Sequence, residues 1–422
     1  MRSLIIIQAP ASKSVSHRAM ICAGLVPEGT SVIRKALASD DLERTAACLT
    51  ALGANCSARD DGVMDLRGIA ALPEKKAVLH VGESGTTCRL MTAVASAFSG
   101  QCLVTGDGRM HDRPIDDLIR PLEAMGVRIE YLAKPGCPPL AITSQGLSGG
   151  GIEVSLEQSS QYLSGLLLAA PLAAKPVRIS VVGRKAVSWP YVALTVQTMA
   201  DFGIPVLVEE LLGGQWTPSD PAAVREVTPG RIRFSVQPGA YRARDYTVEG
   251  DWSNASYFLA AGAVGSGPVL VQGLRPDSLQ GDRAMTDIVK ALGGRVEFGT
   301  DGVLSFPARL IGTHLDMGHC PDLVPTVAAL ACFAQGRTTI VNVAHLRLKE
   351  SDRLAAVATE LSKTGARVEV QDDGLVIDPG FVPNPGPLAL STHDDHRMAM
   401  SLSLLEFGGF RPELDNPGCV AK

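Results

Sequence analysis

The 422-residue chain has no C-x-x-C pair, and its nine cysteines, Cys22, Cys48, Cys56, Cys88, Cys102, Cys137, Cys320, Cys332 and Cys419, show no ligand spacing with histidine. An odd count without paired spacing excludes a disulfide framework and a zinc site, and leaves mostly buried thiols in a reducing compartment. The longest apolar run, "YLSGLLLAAPLAA", falls short of a membrane span and contains Pro171. The start, "MRSLIIIQAP", is too brief in its apolar part for a signal peptide. A cytoplasmic protein is the expectation. Basic excess is also lacking: the formal net charge is -5, which argues against nucleic acid as the main partner, so any anion site must concentrate its cations locally. There is no G-x-x-x-x-G-K-[ST] loop, no G-x-G-x-x-G after a strand and no G-x-S-x-G elbow. His17, His111, His345 and His396 are not spaced as metal ligands. Neither metal nor cofactor is expected.

What is present is ample core material. The chain is 45% hydrophobic and 20% charged, and it is too long for one typical core, so two domains of about 200 residues are expected.

Two classes of helix alternate. An amphipathic segment closing on a glycine recurs five times: "LERTAACLTALGA", "DDLIRPLEAMGV", "YVALTVQTMADFGI", "DRAMTDIVKALGG" and "DRLAAVATELSKTGA". Their glycines, Gly53, Gly126, Gly203, Gly293 and Gly365, lie 72 to 90 residues apart. A second class, apolar almost all round and therefore buried, occurs six times: "SVSHRAMICAGL", "SGTTCRLMTAVASAF", "SSQYLSGLLLAAPLA", "SNASYFLAAGAV", "PDLVPTVAALACFA" and "DHRMAMSLSLLEF". Strand-like alternation follows most of them. The economical reading is six units, three per domain, the last incomplete because a sixth glycine would fall beyond Lys422. The domain crossing is expected near residue 248, giving 11–248 and 249–422, with residues 1–10 returning to the second. The Gly- and Pro-containing stretch 211–230 reads as a surface excursion.

The informative residues cluster at helix starts, where unpaired N–H groups and a partial positive charge favour phosphate or carboxylate. "PASKSVSHRA" supplies Lys13, Ser14 and Arg18; "ESGTTCR" supplies Gly85, Thr86, Thr87 and Arg89; "QSSQY" supplies Ser159, Ser160 and Gln161; "DDHRMAM" supplies His396 and Arg397. Taken singly, each is equally a capped helix. Basic residues at equivalent places in several units favour the anion site. Arg109 and Arg113 in "GRMHDRPIDDL", and Arg184, Lys185, Ser188 and Tyr191 in "GRKAVSWPYV", add cations or surface charge. Asp322 in "GHCPDLVPT" is either a cap or a carboxylate kept ionised by cations to accept a hydroxyl proton. "DWSNASYF" reads as cap and core. "LRLKESDRL" packs Arg347, Lys349, Glu350, Asp352 and Arg353 before an apolar run, and is either a capped helix start or an anion site beside an acid or base.

Taken together, "SKSVSHRA", "ESGTTCRL", "RMHDRPI", "SSQYLSGLLLAAPLA", "EGDWSNASYFLAA", "LRLKESDRL" and "DDHRMAM" resemble the enolpyruvyl transferases, in family order over nearly the whole chain. The resemblance is to the branch that uses shikimate 3-phosphate in the shikimate pathway. It implies a two-domain inside-out α/β barrel of six βαβαββ repeats closing on its substrates, and attack of the 5-hydroxyl of shikimate 3-phosphate on carbon 2 of phosphoenolpyruvate. It implies contacts to shikimate 3-phosphate from Lys13, Ser14, Arg18, Ser159, Ser160, Gln161, Ser188, Asp322 and Lys349. Contacts to phosphoenolpyruvate are implied for Lys13, Gly85, Arg113, Gln161, Arg353, Arg397 and Lys422. Lys13, Asp322 as proton acceptor and Glu350 as proton donor are the implied catalytic residues, in a monomer without cofactor or metal.

The chain departs from the pattern at Glu83 for Asn, Ala11 for Gly and His17 for Asn. Lys422 as last residue, carrying its own carboxylate, is a poor phosphoenolpyruvate ligand. Two rivals follow: an enolpyruvyl transferase acting on UDP-N-acetylglucosamine, for whose loop cysteine Cys102 and Cys137 are poor candidates, and a non-catalytic phosphoanion-binding protein.

Overall fold

The computed structural model describes residues 4–59, 62–69, 76–224, 227–381 and 386–421. Eleven α-helices lie among them: α1 Lys13–Gly24, α2 Asp40–Ala51, α3 Gly85–Ser96, α4 Asp116–Ala124, α5 Gln161–Ala169, α6 Trp189–Asp201, α7 Trp252–Val264, α8 Met285–Ala291, α9 Val324–Phe333, α10 Arg353–Ser362 and α11 His396–Leu402. Odd-numbered helices are the apolar class. In α1 everything from Val15 to Gly24 is buried, and in α9 everything from Val324 to Cys332. The even-numbered helices bury a stripe, as α2 does with Leu42, Thr45, Cys48 and Leu49. Each even-numbered helix is followed by its expected glycine at positive φ, from 81° at Gly293 to 103° at Gly53. A left-handed residue there ends the helix and turns the chain into the next strand, a conformation a side chain would strain.

The chain divides into two compact units, residues 13–248 and residues 1–12 with 249–422. Among its described residues the first unit holds three sheets. In the simplest, Ala77–His80 runs parallel to Ser99–Thr105, which pairs antiparallel with Leu140–Gln145, itself paired with Arg128–Tyr131. The same order recurs where Asp245–Thr247 lies parallel to Thr30–Arg34, beside Met64–Arg67 and Asn55–Ala58. The third sheet pairs Gly150–Ser155 with Val177–Val182 and gains a strand. The stretch read as a surface excursion folds back as Gln215–Pro218 on Leu207–Leu212 through the Gly213–Gly214 turn.

In the second unit Ile5–Gln8 runs parallel to Val269–Gln272, ahead of Gly302–Phe306 and Arg295–Phe298. His314–Asp316 stands likewise beside Thr338–Val341, Gly374–Asp378 and Arg367–Gln371. The sixth sheet has, among the described residues, the parallel pair Pro387–Leu390 and Arg411–Leu414. Of the nine cysteines all but the half-buried Cys56 are buried. No helix among the described residues is long and apolar enough to cross a membrane.

Candidate active site

Arg18 anchors the cluster in residues 13–248. Placed on the sixth residue of α1, it is 1% exposed and its side chain reaches three helices at once. Its Nε donates to Thr195 Oγ1 at 2.7 Å, Nη1 to the Ser14 carbonyl at 2.8 Å, and Nη2 to the Tyr191 carbonyl at 2.9 Å and Ser164 Oγ at 3.4 Å. Burial pulls its pKa down to about 10, still charged at neutral pH. One turn earlier, Lys13 Nζ sits 2.9 Å from Asp41 Oδ2 of α2. Between them His17 is fully buried, and burial pushes its imidazole down to about 3, so it is neutral. Its Nδ1 meets Thr45 Oγ1 at 2.8 Å, and Thr45 meets Thr87 Oγ1 at 2.8 Å. Thr87 in turn donates to Ser84 Oγ, the cap of α3. This buried chain ties α1 and α2 to the start of α3.

That start is crowded by two guanidinium groups. A Cβ on Gly85 would fall 2.4 Å from Arg113 Nη2 and 2.6 Å from Arg89 Nη1, so only glycine lets both lie against the backbone. Arg113 Nη1 donates to the Glu83 carbonyl at 3.1 Å. Arg89 Nη1 donates to Gln161 Oε1 at 3.1 Å, and Gln161 Nε2 to Thr86 Oγ1 at 2.9 Å, so the first residue of α5 bridges to α3. Ser159 Oγ accepts from the Gln161 N–H, and Ser160 is buried. Ser188, ahead of α6, holds φ at +57° while 6% exposed. Such strain in a non-glycine residue persists where the surroundings dictate a side-chain position.

In residues 249–422 the centre is Arg353, first residue of α10 and 1% exposed. It donates through Nη1 to Asp322 at 2.9 Å, through Nη2 to Glu350 at 2.9 Å, and through Nε and Nη2 to Asp395 at 2.7 and 3.3 Å. Arg397 Nη2 holds the other oxygen of Asp322 at 2.8 Å. Burial alone would push the Asp322 carboxyl up, but Arg397, Lys349 and Arg353 outweigh it and hold it well below the usual carboxylate range. Asp395 is held low in the same way by Arg353 against its burial. It also caps α11 through the Arg397 N–H and accepts from Ser351 Oγ. Two buried cations thus fix one ionised carboxylate, the geometry of a base flanked by anion-binding groups.

A family model described as EPSP synthase (3-phosphoshikimate 1-carboxyvinyltransferase) matches residues 5–218 and 221–422. The chain belongs to the EPSP synthase family. It is 39% identical over 424 residues to a 3-phosphoshikimate 1-carboxyvinyltransferase of Shewanella baltica (strain OS155 / ATCC BAA-1091), covering 99% of this chain and 93% of that one. A relative of the same description from Thiobacillus denitrificans (strain ATCC 25259 / T1) is 40% identical over 422 residues with the same coverage. The solved EPSP synthase from Acinetobacter baumannii superposes with a TM-score of 0.74 at 25% identity, over 99% of this chain and 92% of that one. The activity is accordingly that of a transferase in the shikimate pathway of aromatic amino acid biosynthesis.

The structure brings Lys13, Ser14 and Arg18 together on α1, Gly85 against Arg113, and Asp322, Glu350, Arg353 and Arg397 into one cluster. Lys349 reaches Asp322 electrostatically. Lys422 lies outside the described residues. Arg184 is 91% exposed beside Glu157, as surface charge would be. Glu83 turns its carboxylate toward Gly108, so a Cβ there would meet it at 2.6 Å. Of "LRLKESDRL", Asp352 caps α10 through the Ala355 N–H, while Glu350 and Arg353 enter the charged cluster, so the motif is both cap and site. Asp251 caps α7, as read. Asp395, Thr195 and Thr45 went unread. Asp395 carried a signal, an Asp at a helix start beside Arg397, but it is indistinguishable there from a plain cap.

Proposed function

We propose that these residues carry the enolpyruvyl transfer in named roles. Lys13, Ser14, Arg18, Ser159, Ser160, Gln161, Ser188 and Lys349 hold shikimate 3-phosphate, with residues 13–248 as its principal side. Lys13, Gly85, Gln161, Arg113, Arg353 and Arg397 hold phosphoenolpyruvate. Both reactants are polyanions that repel until fixed cations neutralise them. Asp322 takes the proton of the 5-hydroxyl as its oxygen bonds to carbon 2 of phosphoenolpyruvate, and Glu350 protonates carbon 3. The Glu350 carboxylate then takes a proton back from carbon 3 of the tetrahedral intermediate as the bond to phosphate breaks. The cations stabilise charge moving onto that phosphate, each well-placed donor worth ~3 kcal/mol. Arg397 holds Asp322 before the donor's carboxylate or phosphate engages it, and sharing that guanidinium makes Asp322 more basic when the hydroxyl needs it.

The observation that carries this reading is Asp322 held ionised by two buried arginines, Arg353 and Arg397. Six βαβαββ modules, three to each unit in the inside-out barrel arrangement, would supply the helix starts, in a cytoplasmic monomer. The test is phosphate release from phosphoenolpyruvate with shikimate 3-phosphate or a UDP-sugar as acceptor. Release with shikimate 3-phosphate, cut ~10²–10⁴-fold by Asp322→Asn, supports it; release only with the UDP-sugar, or an unimpaired Asp322→Asn, refutes it.

A further inference from the structure

In the charged cluster of residues 249–422 the carboxyls of Asp322, Glu350 and Asp395 face Arg353, Arg397 and Lys349. Asp282 is a further carboxyl beside that cluster. It lies in the turn Gly281–Ala284 that leads into α8, 2% exposed. Its Oδ2 accepts from Ser253 Oγ, while Oδ1 has no hydrogen-bond partner. The groups facing it are Ser253 and Asp251 from the start of α7, Asp322 and the Cys320 thiol from the segment before α9, and Arg397 from α11. Arg283 lies next to it on its own turn. A buried carboxylate needs donors on both oxygens and tolerates a like charge poorly, so this surrounding favours the neutral acid. Burial and the charge on Asp322 push the Asp282 carboxyl up to about 7, against the downward pull of Arg397 and Ser253. Two neighbouring buried carboxyls are thereby driven in opposite directions, Asp322 toward the ionised form and Asp282 toward the protonated one.

We propose that Asp282 is a positioning residue for the transfer: it retains its proton while Asp322 is ionised, and in that neutral form leaves the Arg397 guanidinium to Asp322 and the anionic donor. Ionised, it sets a second buried negative charge near the same guanidinium and draws Arg397 from the donor. The alkaline rise in KM for phosphoenolpyruvate then reports Asp282. This inference rests on the assignment of Arg397 to phosphoenolpyruvate.

The experiment compares the full chain with Asp282→Asn, which keeps the shape and cannot ionise. KM for phosphoenolpyruvate is measured from about pH 6 to about pH 8.5, across the titration of Asp282. The parent's KM is expected to rise about fivefold more than that of Asp282→Asn, whose kcat stays within about threefold of the parent at the acid end. Infrared difference spectra, parent minus variant, should show a protonated-carboxyl band at the acid end that disappears at the alkaline end. Matching KM profiles, or no such band, overturn the proposal. Should Asp282→Asn fail to fold, Ser253→Ala, which removes the donor favouring the ionised form, must move the KM rise to higher pH; an unmoved rise is equally fatal. A chain that releases no phosphate with shikimate 3-phosphate at any pH sinks the functional reading instead, while the infrared band still decides the state of Asp282.

Discussion

Adding one methyl group at Gly85 separates stability from function. An alanine Cβ there would lie 2.4 Å from Arg113 Nη2, 2.6 Å from Arg113 Cζ and 2.6 Å from Arg89 Nη1. Ordinary heavy-atom contacts begin near ~3.5 Å, so both guanidinium groups must retreat by about 1 Å. The clashing atoms are the ends of long side chains, not backbone, and α3 keeps its Ser84 cap. The fold should therefore lose no more than ~1 kcal/mol, the low end of overpacking costs. Function is less tolerant, because a misplacement of that size costs on the order of 10²-fold when the displaced groups hold a reacting anion. Gly85→Ala is expected to raise KM for phosphoenolpyruvate by about 10- to 100-fold. KM for shikimate 3-phosphate should rise less, within about fivefold, since Lys13, Ser14 and Arg18 are not displaced and only Gln161 is reached, through Arg89. Steady-state phosphate release with each substrate varied in turn, alongside a urea melt, measures all three quantities. An unchanged KM for phosphoenolpyruvate, or equal rises for both substrates, would refute the reasoning.

Asp395→Ala leaves the Arg353 guanidinium, Ser351 and the start of α11 without their shared acceptor, and should destabilise residues 249–422 by about 3–5 kcal/mol; a loss under ~1 kcal/mol in urea denaturation contradicts this. Thr45→Val keeps shape but breaks the chain from His17 to Thr87, leaving buried polar atoms unmet at a cost of about 1–3 kcal/mol, with KM for phosphoenolpyruvate rising because α3 loses a tether; equal stability of variant and parent would tell against the chain. Asp282 is raised in the folded state, so between its unfolded value of 3.8 and about 7 the native protein binds the extra proton and its stability falls as pH climbs. Asp282→Asn removes that decline, gaining up to about 4 kcal/mol on the parent from about pH 4 to about pH 8; parallel stability curves in chemical denaturation count against it.

The helices were legible because each has a local signature. A stripe of apolar residues closing on glycine announces α2, α4, α6, α8 and α10, and the left-handed φ of Gly53, Gly126, Gly203, Gly293 and Gly365 is the physical reason that signature exists. The extra strand Gln215–Pro218 was missed since its Gly213–Gly214 turn sits in a run rich in loop formers, and strand pairing depends on a partner the local sequence does not name. For the site, the cations were legible and their partners were not. Arg353 could be read as an anion holder, but its ligands Asp322 and Asp395 lie 31 and 42 residues away, and only folding shows that their carboxylates share its guanidinium. Arg18 reads from sequence as an anion holder at a helix start, but that it is buried and tied to α1, α5 and α6 appears only in the fold. Asp282 was the least legible of all, because a lone Asp before a helix reads as a cap. Its distinguishing property, a second oxygen without a donor beside an ionised neighbour, belongs to the packed interior and to no stretch of the chain. Charge type is therefore a property of sequence, whereas protonation state is one of packing, and a reaction that runs on protons is decided by the second.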